Sequence, residues 1–190
     1  LYIPKDNGET TELDVVLLHE SGIYVFESKN YSGWIFGTET QKYWTHTLPA
    51  GRGRSLKNKF FNPIMQNKGH IKWLQAFLVE QALPFYSYIV FSDRCILKDI
   101  KLTSADHYVM NRHKILSAVR QNMAKVGKRL SPQKIDDLFE KLYPFTQVDE
   151  VRKMAHIQNI QQKTQKSVLQ SAPAVMETPK AEESICPRCG

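Results

Sequence analysis

A chain of 190 residues with 42% hydrophobic side chains can bury one sizeable core and still carry an appendage. Every apolar run falls short of the roughly 20 residues that cross a bilayer, no signal-peptide pattern opens the chain, and its three cysteines make no disulfide framework. These features speak against a membrane protein and a secreted disulfide scaffold, and a reducing cytoplasm is the expected setting. The net charge of +7 is uneven: residues 1–50 carry 3 basic and 7 acidic side chains, residues 51–150 carry 17 and 9, and the rest carry 6 and 3. An acidic segment suited to cations thus precedes a basic one suited to phosphates, although a basic face is also an ordinary solvated surface.

Leu1-Tyr2-Ile3-Pro4 has the character of a strand end, so a preceding segment is expected upstream. Thr11 to Asn30 predicts two strands joined by a turn, with Asp14 on the first strand and Glu27 and Lys29 on the second. Successive strand side chains alternate between faces, so Glu27 and Lys29 share one face and Ser28 points away. Glu12 would share a face with Asp14 on the same argument. Gly33 to Gly37 and Gln41 to Thr47 predict a hairpin that extends the sheet, and Leu48 to Ser55 a loop. Asn62 caps a helix with Pro63 in its first turn, and an apolar stripe carries that helix to about Gln81, before Pro84.

Phe85 to Phe91 predicts a buried central strand, and Cys95–Leu97 and His107–Met110 predict shorter ones. Asn111 is placed to cap a helix running to about Lys125, and Ser131-Pro132 to start another that ends near Tyr143. Residues 149–170 are helical in pattern but poor in large apolar side chains, and 171–184 have the composition of a linker. The expected layout is a globular segment over 1–110, a helical extension over 111–170, the linker, and a cysteine-bearing end over 185–190.

A carboxylate, a turn, a second carboxylate and a lysine two residues later can hold a divalent cation beside a fixed positive charge, which is the chemistry of phosphodiester cleavage. Magnesium takes oxygen ligands in near-octahedral geometry; Asp14 and Glu27 supply two, and the Ser28 backbone carbonyl a third. The competing reading is a salt bridge across a hairpin.

The spacing resembles that of the PD-(D/E)XK nuclease superfamily. Glu12-Leu13-Asp14, then Ser21 through Gly33, followed by Ile35-Phe36-Gly37, Trp44, Phe61-Asn62-Pro63, Gln66-Asn67 and His70, is similar to the nuclease-related domain, NERD, over Leu1 to Ser92. The resemblance implies a restriction-endonuclease-like α/β fold, a mixed sheet flanked by helices. It also implies Mg²⁺ or Mn²⁺ at Asp14 and Glu27, and Lys29 steadying the attacking water or the charge building on phosphorus. Gln66 would be an active-site residue that hydrogen-bonds a metal water or a phosphate. His70 lies one turn further along the same helix face and either assists or packs; Glu12 either binds a second cation, orients Lys29 or is structural. Such nucleases often draw a further acid from a helix before the first strand.

Arg52, Arg54, Lys57, Lys59, Lys68 and Lys72 stand in a stretch with no acidic side chain between Ala50 and Leu74, a pattern for non-specific phosphate contact. Phe60, Phe61 and Trp73 lie among them at spacings that favour core packing over base stacking, and the three tryptophans are expected to be structural. Cys186-Pro187-Arg188-Cys189-Gly190 resembles the opening of a topoisomerase-type C4 zinc ribbon; its two thiolates are half a site, so zinc binding requires a completed ribbon. Cys95 is expected in the core. The function expected is metal-dependent DNA cleavage; the alternative is a non-catalytic DNA-binding or scaffold protein on a nuclease fold.

Overall fold

The computed structural model describes residues 1–51, 54–80 and 82–147, together with 154, 157–159, 161 and 162. It opens with a small antiparallel pair, β1 (Tyr2–Pro4) and β2 (Thr10–Glu12). The expected hairpin follows as β3 (Val15–His19) and β4 (Gly22–Lys29), with Val15 opposite Phe26. Its turn requires Gly22, whose φ is +143° and where a Cβ would stand 2.7 Å from the Pro84 carbonyl oxygen.

The chain continues through β5 (Gly33–Thr38), β6 (Tyr43–Pro49) and β7 (Ser55–Phe61) into helix α1 (Pro63–Leu78). Next come β8 (Phe85–Phe91), β9 (Cys95–Lys101) and β10 (His107–Asn111), then a 3-10 turn over Arg112–Lys114 and α2 (Ile115–Val126). Helix α3 (Pro132–Leu142) ends in another 3-10 turn, Tyr143–Thr146.

The fold is mixed α/β, as expected, but the strands divide into two four-stranded sheets. One has the order β10-β8-β4-β3, with β10, β8 and β4 parallel and β3 antiparallel; the other has the order β7-β6-β5-β9. The β5–β6 hairpin therefore does not extend the sheet of β4. It forms a separate one with β7, a strand where sequence reasoning saw only a basic loop and the approach to α1. Lysines interrupt the apolar alternation of Ser55–Phe61, and six of its seven residues are exposed, so the periodicity that marks a half-buried strand is absent.

Helices cover both faces of the first sheet. Ile23 and Val25 of β4 pack with Leu74 and Leu78 of α1 and with Leu138 and Leu142 of α3. Tyr24 and Phe26 point the other way, against Tyr88, Met110 and Val119 of α2. A strand covered twice has no polar face, which is why Ile23–Phe26 is continuously apolar; each large side chain so buried stabilises by about 1.5–3 kcal/mol. The second sheet sets Ile35 and Trp44 against Ile64 and Phe91 in a third cluster that includes Phe60.

Two expected boundaries shift. Helix α1 stops at Leu78 because Val79 takes a left-handed φ of 59° and its N–H bonds to the Gln75 carbonyl. Asn111 does not cap α2: its amide donates to the carbonyls of Ser92 and Cys95, and the 3-10 turn intervenes before Ile115. Asn62 and Ser131 cap α1 and α3 as expected, accepting from the N–H groups of Ile64 and Lys134. Cys95 is buried and free, its thiol donating to the Ser92 carbonyl. Of the helix expected over 149–170, the described residues are helical; the linker and Cys186 and Cys189 lie outside the described residues. Among the described residues, no helix is long and apolar enough to cross a membrane.

Candidate active site

The alternation along β4 decides which side chains meet. Glu27 and Lys29 follow Ile23 and Val25 on the α1 face, and α1 delivers Gln66 and His70 to them from one side. Glu27 is buried, and each of its carboxylate oxygens has a neighbour: Lys29 Nζ lies 2.7 Å from Oε1 and His70 Nε2 lies 3.2 Å from Oε2. Lys29 also donates to Gln66 Oε1 at 3.0 Å. Thr11 of β2 closes the chain from behind, its Oγ1 lying 2.6 Å from His70 Nδ1. His70 Nε2 pairs with Glu27 by distance, but its N–H is off line and the atom is buried without a hydrogen bond.

Asp14 is not on a strand. It occupies the bend between β2 and β3, where its Oδ2 accepts the Ser28 N–H at 2.7 Å. Leu13, almost fully buried, breaks the strand there by turning into the core. The same break separates Glu12 from Asp14: Glu12 ends β2, opposite Tyr2, and accepts the Tyr2 hydroxyl at 2.7 Å. The expectation that Glu12 and Asp14 share a strand face is overturned.

The two carboxylates differ electrostatically. Burial alone would raise the Glu27 carboxyl, but His70 and Lys29 outweigh it and hold the group below its ordinary value. Asp14 is exposed as a residue, yet desolvation of its carboxyl raises its pKa against the Ser28 N–H, and the charge of Glu27 raises it further. A site that keeps one carboxylate ionised and strains its neighbour when no cation is present suits a divalent ion. Asp14, Glu27 and the Ser28 carbonyl are hard oxygens, the donor type that Mg²⁺ and Mn²⁺ take. Among the described residues, no group of three or more His, Cys, Asp and Glu side chains converges as a ligand set, so the fit rests on two side chains and a carbonyl.

The six basic residues are less united than their spacing suggests. Arg52 lies outside the described residues. Lys57 and Lys59 lie on β7, at the edge of the second sheet, and Arg54 just precedes it. Lys68 and Lys72 are exposed on α1, and Lys68 stands 3.5 Å from Glu39. That glutamate accepts the backbone N–H groups of Thr103 and Ser104, which hold its carboxyl far below the ordinary range.

Sequence reasoning missed Thr11, whose role appears only when β2 and α1 meet across 59 residues. It took all three tryptophans as structural. Trp44 is fully buried, whereas Trp34 is 41% exposed.

Residues 1–92 match the family profile of NERD, the nuclease-related domain. The chain is also similar to an uncharacterized protein of Bacillus anthracis, at 38% identity over 103 residues, which cover 54% of this chain and 46% of that relative. The chain thus spans less than half the length of this curated relative. No solved structure matches it.

Proposed function

We propose that this chain carries the catalytic segment of a divalent-metal-dependent nuclease that hydrolyses DNA phosphodiester bonds in the cytoplasm. The match of residues 1–92 to a nuclease-related domain supports the class. The observation that carries the reading is the clamp on Lys29, a strand-end lysine held between the Glu27 carboxylate and Gln66 and next to a second carboxylate at Asp14.

Asp14, Glu27 and the Ser28 carbonyl would hold Mg²⁺ or Mn²⁺, which when bound polarises the scissile phosphate and eases deprotonation of a water. Glu27 fixes the Lys29 ammonium at one side of that group, so its charge faces the negative charge that builds on phosphorus without having to reorganise. Gln66 uses Oε1 on Lys29, which leaves its amide nitrogen to donate to a phosphate oxygen. His70, anchored at Nδ1 by Thr11, sets its Nε2 3.2 Å from the far oxygen of Glu27. The described basic residues, Arg54, Lys57, Lys59, Lys68 and Lys72, supply sequence-independent phosphate contacts. Cys186 and Cys189 would bind zinc only in a ribbon completed by two further ligands.

A second reading, a non-catalytic nucleic-acid-binding protein on this fold, draws on the same clamp: both Glu27 oxygens already have protein partners. Digestion of circular and linear DNA by the full-length protein, with Mg²⁺ or Mn²⁺, separates the two. Cleavage that disappears in Glu27→Gln supports the nuclease; no cleavage under either metal gives the site to the second reading.

A further inference from the structure

Among the described residues, no element packs on the outward face of the second sheet at Trp34, Tyr43, Phe61 and Ile96. Strand register puts Phe61, Lys59 and Lys57 of β7 beside Tyr43, Thr45 and Thr47 of β6, and Trp34 of β5 lies opposite Thr47 on one side and Ile96 on the other. Directly paired residues share a face, so Trp34, Tyr43 and Phe61 stand on one surface. The alternate residues Ile35, Trp44 and Phe60 are in the core. Three aromatic rings are therefore held in the open by a rigid scaffold, with Trp34, Tyr43 and Phe61 exposed to 41%, 50% and 43%.

Lysines surround them. Lys98, extruded by the irregularity in β9, lies over the Trp34 ring at 5.8 Å, and Lys42 over the Tyr43 ring at 5.5 Å. Lys57 and Lys59 fill the rows between. None of these four makes an ion pair among the described residues; the acid on this face, Asp99, is engaged by Lys101 at 3.9 Å. Rings that offer π-faces, set among cations with no acidic partner, match a ligand that carries bases and phosphates together.

We infer that this face binds single-stranded nucleic acid, stacking unpaired bases on Trp34 and on the Tyr43–Phe61 pair while Lys42, Lys57, Lys59 and Lys98 follow the phosphates. Rings stack only on bases that are not already stacked in a duplex. Four strands at about 4.8 Å spacing make a face too broad for a major groove about 12 Å wide, which admits a helix or a two-stranded ribbon. Trp34 sits opposite Thr47, four residues along β6 from Tyr43, or about 13 Å at 3.3 Å per residue. That leaves room for more than one nucleotide between the two stacking points.

The inference does not depend on catalysis, and its test is run in EDTA so that no strand is cut. Fluorescence anisotropy with a labelled oligothymidylate of about 15 nucleotides, near the upper site size for sheet-type binders, measures affinity for the full chain. Trp34→Ala and Tyr43→Ala should each weaken binding by roughly 5- to 150-fold, while Trp34→Phe, which keeps a ring, should recover most of the loss. An abasic strand of the same length should bind as weakly as the alanine variants, and duplex of the same sequence more weakly than single strand. Lys57→Gln with Lys59→Gln should flatten the salt slope by about 0.7 per contact. Wild-type affinity in folded Trp34→Ala and Tyr43→Ala, equal binding of the abasic strand, or preference for duplex would each overturn the inference. So would concentration-dependent dimerisation that Trp34→Ala abolishes, which would assign the face to a second copy of the chain.

Discussion

Neutralising the two site carboxylates should move stability in opposite directions. Glu27→Gln removes the anion that both Lys29 and His70 lean on, in a place where the three side chains retain only 4%, 18% and 14% of their exposure. Stripping one partner from a buried pair costs about 3–5 kcal/mol; because Lys29 keeps some water and glutamine can still accept from it, about 3 kcal/mol is expected. At roughly 2–4 °C per kcal/mol for a chain of this size, the melting temperature should fall by about 6–12 °C. Asp14→Asn should instead hold or raise it, since asparagine can still accept the Ser28 N–H while shedding a charge that desolvation and Glu27 disfavour. The pH dependence follows in sign. Glu27 has a lowered pKa, so its contribution is complete above its ordinary value of 4.5 and disappears as pH falls through the lower folded value. The gap between wild type and Glu27→Gln should therefore be widest near neutrality and close in acid. Asp14, with a raised pKa, costs stability that builds as pH rises above its ordinary value of 3.8 and is complete above the folded value, so any gain from Asp14→Asn should fade toward low pH. Thermal unfolding by circular dichroism in EDTA at pH 7, 5 and 3 reads all of this. A Glu27→Gln protein as stable as wild type at pH 7, or an Asp14→Asn protein that falls equally far, would refute the electrostatic account.

Lys29→Ala should abolish cleavage by the full-length protein yet leave DNA affinity nearly unchanged, because one lysine adds little to a multi-phosphate surface; parallel cleavage and binding assays check it. Asn62→Ala should cost about 2–4 kcal/mol by chemical denaturation: it loses the α1 cap, worth about 1 kcal/mol, and strips a donor from the buried Glu39 carbonyl and from the Gln41 carbonyl. The Thr38 carbonyl loses less, since the Trp44 indole also reaches it. Gly37→Ala should destabilise by about 1–3 kcal/mol, because a Cβ there would lie 2.3 Å from the buried Trp44 ring; near-wild-type stability would mean that Trp44 can move aside.

Local rules carried sequence reasoning furthest where both partners lay close in the chain. Glu27 and Lys29 meet because a strand repeats every two residues, and Gln66 and His70 align because a helix repeats nearly every four; their faces were readable from spacing. The caps at Asn62 and Ser131 rest on the same short-range chemistry. What escaped was decided by long-range contact. That Leu13 would turn into the core and put Asp14 in a bend depends on Ile3 and α1. That Thr11 would fix His70 depends on β2 lying beside a helix that begins some fifty residues later. Strand β7 was hidden because its outward side carries lysines where a half-buried strand shows alternation, and the second sheet stayed invisible with it, since β9 finds β5 only across the intervening helix.

The core cluster around Ile3, Leu13 and Val25 also contains Leu130, Leu138 and Leu142, and the Glu20 carbonyl at the tip of the β3–β4 hairpin accepts the N–H groups of Arg129 and Leu130. The region recognised by family similarity ends at residue 92, before β10 has joined β8 and long before α3 closes over β3 and β4. Homology and autonomy therefore part company in this chain. A fragment trimmed to the similarity boundary would keep α1 but lose α2 and α3, leaving one face of β4 bare and the other only partly covered, and should be recovered as aggregate. An excised module meant to work in another protein would have to extend through Leu142, with helices that take no part in the chemistry travelling as its indispensable outer wall.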